Sequence, residues 1–184
     1  MNAKEYVEKF PAEFAVPTLI LELLKYQDEV DNAYSGTFEL RADEGSSLFY
    51  WFGKDLDAAS QFGSFGADSD GSLYAFWLLN NRDLETAPIV FLGSEGSGNT
   101  VLSDNLRDFF SLLAIGQEEL GFAVESPGWH QKQVPDENTQ QFRNWLKSSF
   151  DIEEPEGGEA FVAQAKSKHP DLQTWIEQWQ SQQS

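Results

Sequence analysis

Apolar positions along the chain change period twice. Residues 3–14 set Tyr6, Val7, Phe10 and Phe14 three and four apart, the spacing of one helix face, and Pro11 ends or kinks that run. Pro17 then opens a second helix whose apolar face is Leu19, Ile20, Leu23 and Leu24. From Gly36 to Leu79 the period falls to two. Thr37–Arg41 alternates, with Phe38 and Leu40 on one side, which predicts a strand with one solvated face. Leu48–Phe52 is continuously apolar and predicts a more central strand, and Phe62–Phe65 a short one. Asp55–Ala59 between them reads as one helical turn or a loop.

The stretch Gly71–Gly116 holds the two most hydrophobic segments. Leu73–Leu79, with Tyr74, Phe76 and Trp77, and Pro88–Leu92 both read as strands. Asp68-Ser69-Asp70-Gly71 is the hairpin turn before the first, and the polar residues Asn80–Ala87 loop back to the second. A glycine-rich turn, Gly93–Asn99, follows, and Thr100–Leu102 adds a further short pairing. Ser103 and Asp104 then cap a helix carrying Leu106, Phe109, Phe110, Leu112 and Leu113 and ending at Gly116.

Beyond Gly116 the β pattern stops. Glu118–Trp129 is a polar and aromatic connection. Asn138–Phe150, Glu159–Lys168 and Asp171–Gln180 predict three helices, with Asp151–Gly158 as an acidic Pro/Gly breaker. Helices, a strand meander and helices again predict an α+β fold. Its sheet is mostly antiparallel, of about six strands, flanked by N- and C-terminal helices, and the 184 residues make a single domain.

Composition narrows the function classes. With no cysteine, disulfides and thiolate metal sites are excluded. The first residues, MNAKEYVEKF, hold no apolar signal core, and no apolar run has the length of a membrane span. A cytoplasmic protein is the expectation. Thirty-one acidic residues against twelve basic ones give a net charge of −19, with carboxylates in excess on both sides of Gly98. Such a surface repels nucleic acid and anionic membranes and attracts basic proteins. Solubility alone is the other reading of the same charge.

The candidate chemistry is thin. Gly93-Ser94-Glu95-Gly96-Ser97-Gly98-Asn99-Thr100 matches a phosphate loop except at the lysine, where Asn99 stands. Glu95 inside the loop and Val101-Leu102 before the helix cap also count against nucleotide binding. For Asp68-Ser69-Asp70-Gly71 as a calcium loop, the first and twelfth places would fall on Gly66 and Trp77, which carry no carboxylate. His130 and His169 lie in different segments without a second ligand at metal spacing. No nucleophile elbow occurs, and nothing in the spacing of the acids supports a glycosidase-type hydrolase. No catalytic, cofactor-binding or metal residue is therefore assigned, and the partner-binding residues and oligomeric state stay open.

Gly71–Trp77, Pro88–Gly96 and Leu102–Leu113, the last with Asn105, Asp108, Phe109 and Leu112, together resemble the core of the SUKH superfamily. That superfamily includes the yeast cell-wall-synthesis regulator domain and many bacterial immunity proteins. The resemblance spans residues of about 15–115. A C-terminal helical extension, about 136–180, lies outside it. It implies an α+β fold without a catalytic site and a non-enzymatic protein-binding role. The expected partner is a basic toxin domain of nuclease or deaminase type, neutralised by direct binding. A regulatory or scaffold module of the same fold is the alternative, and a small hydrolase a remote one.

Overall fold

The computed structural model describes residues 2–30, 34–79, 83–129 and 134–183. Among these, Asn2 accepts the Glu5 N–H to cap α1 (Ala3–Lys9), and α2 (Thr18–Glu29) starts after Pro17. The strands β1 (Glu39–Leu40), β2 (Phe62–Ala67), β3 (Leu73–Trp77), β4 (Ile89–Leu92) and β5 (Thr100–Ser103) form one antiparallel sheet in sequence order. The α+β class and antiparallel sheet are as expected, but the sheet has five strands, not about six.

The missing strand is Leu48–Phe52, which is helical instead. Asp43 accepts the N–H groups of Gly45 (3.1 Å) and Ser47 (2.8 Å), and Gly45 takes a left-handed conformation (φ 80°). That start launches α3 (Ser46–Trp51), which buries Leu48 and Phe52, one turn apart, and leaves Tyr50 outside. Leu48 and Phe52 are buried and Trp51 packs partly buried against them, while Tyr50 faces outward, so the continuity of the run reflects two sides of a helix rather than a central strand. A single turn, α4 (Leu56–Ala59), follows, capped by Asp55.

Both sheet faces are covered. Tyr74, Phe76, Ile89 and Phe91 pack into a first core with Ile20 and Leu23 of α2, Phe109 and Phe110 of α5 (Leu106–Leu113), and Phe142 of α7 (Glu137–Phe150). Leu73, Ala75, Trp77, Val90 and Leu92 point the other way, into a second core with Leu48, Phe52 and the last helix, α9 (Leu172–Gln182). This two-sided burial is why the central strands lack polar alternation. An irregularity between Ser64 and Gly66 shifts the phase of β2, so that Phe62 and Ala67, an odd number of positions apart, both face the second core.

Asn105, not Ser103 or Asp104, caps α5: its Oδ1 accepts the Asp108 N–H at 2.9 Å. Ser103 belongs to β5, and Asp104 turns to Lys168 and His169 at the far end of α8 (Gly158–Lys168). The connection after Gly116 contains one further turn of helix, α6 (Leu120–Ala123). Gly116 has φ +75°, and a Cβ there would stand 2.5 Å from Thr139 Cγ2, so α7 can lie directly against the end of α5. Arg143 fastens that contact by donating to the carbonyls of Ala114 (2.6 Å) and Ile115 (3.2 Å). Helix α8 runs beside β5, with Val162 in the first core and Ala165 in the second, and so covers an edge of the sheet.

Candidate binding face

Helix α3 presents Tyr50 and Trp51 beside the glycine turn. Tyr50 is 67% exposed, while the Trp51 ring is held by its Nε1–H, which donates to the Gly93 carbonyl at 2.8 Å. From the opposite side comes the end of α9. Trp179 donates its Nε1–H to Asp55 Oδ2 at 2.8 Å, and Gln183 donates to the same oxygen at 2.9 Å. The Trp179 bond, aided by the Ala58 N–H, holds the Asp55 carboxyl below its ordinary range. Between these elements lies a groove of about 490 Å³ lined by Tyr50, Trp51, Glu95, Trp179, Gln180 and Gln183. Both indole N–H groups are thus bonded within the chain, which restrains the two rings.

The glycine turn beside the groove joins β4 to β5 and is closed from within. Asn99 Oδ1 accepts the Gly93 N–H at 3.0 Å, and its Nδ2 donates to Gly96 O (2.9 Å) and Gln173 Oε1 (3.3 Å). A Cβ on Gly93 would stand 1.8 Å from the Ser97 carbonyl oxygen, which is why that position has none. Ser94 N–H donates to Ser72 Oγ, and Ser94 Oγ–H to Asp70 Oδ2, which ties this turn to the β2–β3 turn. The residue in the lysine place is thus a brace for the turn, and β5 separates the turn from α5.

The two aspartates of the β2–β3 turn are both engaged by hydroxyls. Asp68 is buried and accepts from Thr37 Oγ1 (3.0 Å) and Tyr74 Oη (2.8 Å). Burial pushes its carboxyl up, against those two bonds, with Asp70 and Glu119 adding repulsion. Burial also raises Asp70, but the N–H and hydroxyl of Ser72 and the hydroxyl of Ser94 outweigh it and hold this carboxyl low. His169 Nε2 lies 3.0 Å from Asp104 Oδ1, joining the α8–α9 junction to the loop before α5. His130 falls outside the described residues. Clefts of about 320 and 260 Å³ flank Lys166, which pairs with Glu125; neither they nor the aromatic groove are lined by Asp68 or Asp108, two carboxylates raised by burial. Among the described residues no group of three or more potential ligands could hold a metal ion, and no helix is long and apolar enough to cross a membrane.

Most of the cations are already held by carboxylates of the chain. Lys4, Lys9, Lys25, Arg143, Lys147, Lys166 and Lys168 each pair with a carboxylate of this chain, so much of the positive charge is neutralised internally. Glu95, Asp57 and Glu177 stay exposed near the groove elements. No family model matches the chain, and no curated protein or solved structure is significantly similar to it.

Sequence patterns did not single out this face. Tyr50 and Trp51 fall within the expected strand Leu48–Phe52, and Trp179 within the expected helix Asp171–Gln180. The signal was Asp43 two residues before Gly45-Ser46, a helix start that makes Tyr50 an outward position.

Proposed function

We propose that this chain is a non-enzymatic protein-binding domain of immunity type, which neutralises a basic toxin domain of nuclease or deaminase class by covering it. The observation that carries the reading is the net charge of −19 on a surface whose cations are largely paired within the chain. An acidic surface of this kind draws in a basic protein and speeds encounter, while aromatic anchors at the centre of a contact supply affinity. The resemblance of Gly71–Trp77, Pro88–Gly96 and Leu102–Leu113 to the SUKH superfamily supports the same role.

The test is co-expression with the secreted protein encoded by the neighbouring reading frame. Rescue of growth, and a complex whose association rate falls steeply with added salt, are the expected results. No rescue and no complex at low salt would overturn the reading. Stable association with a resident cellular protein instead would favour the regulatory module.

A further inference from the structure

We infer that the groove between α3, the glycine turn and the end of α9 is an arginine-reading pocket, filled by a guanidinium from a basic partner protein. The inference rests on the protein-binding reading and gives it a place on the molecule. Three aromatic side chains, Tyr50, Trp51 and Trp179, line the groove together with the exposed carboxylate of Glu95. Both indole N–H groups are spent on Gly93 O and Asp55, so the rings offer a guest π surface rather than donors. Among the described residues, no lysine or arginine lines the groove.

That chemistry selects its guest. An anion would meet Glu95 and a −19 field with no lining cation to receive it. A purely apolar side chain would leave the carboxylate unused. A guanidinium is planar and weakly hydrated, stacks on aromatic faces, and bonds a carboxylate through two parallel N–H groups. A lysine ammonium carries the same charge but holds its water more tightly and cannot stack, so the groove discriminates between the two. The tied rings also reduce the ordering cost of binding, because little side-chain freedom remains to be lost.

The experiment titrates the full, isotopically labelled chain with the capped peptide acetyl-Gly-Arg-Gly-amide and with its lysine counterpart, following the indole N–H resonances. Expected are saturable shifts of the Trp51 and Trp179 signals with the arginine peptide. Trp77, buried in the second core, serves as the unmoved control. The lysine peptide should bind about 2- to 5-fold more weakly, and E95Q and Y50A should each lower arginine-peptide affinity by a similar factor. Tyr50 and Glu95 are exposed, so both variants keep the fold, which their unchanged Trp77 signal verifies. Equal responses to the two peptides, or an E95Q affinity equal to wild type, would overturn the inference. If Y50A and E95Q still capture the neighbouring toxin with wild-type affinity, the pocket is wrong while the immunity reading stands. If the arginine preference appears but no toxin is captured, the pocket stands and that reading falls.

Discussion

Asn99 reaches back across the glycine turn to Gly93, its Oδ1 accepting the Gly93 N–H at 3.0 Å while its Nδ2 holds Gly96 O and Gln173. The place where a phosphate loop keeps its lysine is used here to shut the loop. Asn99 is buried, so removing its side chain leaves a buried backbone donor without a partner. Asn99→Ala should therefore cost about 1–3 kcal/mol, read as a lower urea midpoint at unchanged slope. Asn99→Lys should gain no Mg-ATP binding, because β5 still separates the turn from α5.

Two glycines of the same turn should respond differently to alanine. Gly93 is forced by close approach, with the Ser97 carbonyl 1.8 Å from where a Cβ would sit. Gly96 has open space around it and only a positive φ of 76°. Gly93→Ala should cost about 3 kcal/mol or more, and Gly96→Ala roughly 1–2 kcal/mol. Thermal melts of the two variants check the order, and equal losses would contradict the geometry.

Much of this fold was legible in the chain because local signals agreed with the tertiary outcome. Leu73–Trp77 and Ile89–Leu92 are apolar at every position because both sheet faces are covered, and the expected helices Asn138–Phe150 and Asp171–Gln180 correspond to α7 and α9, which Asp136 and Asp171 cap. Leu48–Phe52 misled because an aromatic run looks the same whether it fills a core or faces a partner. What decides is the cap that Asp43 provides upstream. The groove was invisible for a different reason. Tyr50, Glu95 and Trp179 are far apart in sequence, and only the packing of α9 on the second core brings them together.

Two carboxylates should give opposite pH signatures. Asp68 has its pKa raised in the folded state, chiefly by burial, above the ordinary value of 3.8. The folded state therefore holds this proton more tightly, and stability is lost as pH rises from 3.8 through the raised value. Asp136 is lowered by its bonds from Thr139, so its contribution is present above 3.8 and fades as pH falls through the folded value. Urea midpoints between pH 3 and 7 check both. Wild type should gain on Asp68→Asn as the solution is acidified. It should exceed Asp136→Ala by about 1 kcal/mol at pH 7, and by less near pH 3.

Helix α9 closes the second core rather than decorating it. Trp175 packs edge-on to Phe62 (5.4 Å between ring centres) and Trp77 (6.1 Å), Trp179 meets Phe52 at 5.0 Å, and Leu172 and Ile176 are buried beneath. Burying a side chain such as Leu172 or Ile176 contributes roughly 1.5–3 kcal/mol, and a domain's whole stability is about 5–15 kcal/mol. Removing α9 forfeits several such contributions at once and strips the cover from Phe52, Phe62 and Trp77. A chain ending at His169 should therefore lose cooperative unfolding and bind a hydrophobic dye that the full chain excludes. A sharp urea transition in the truncated chain would show that the sheet and α3 hold this core without α9. In that case the groove at the end of α9 would be a detachable wall, not part of the folded unit.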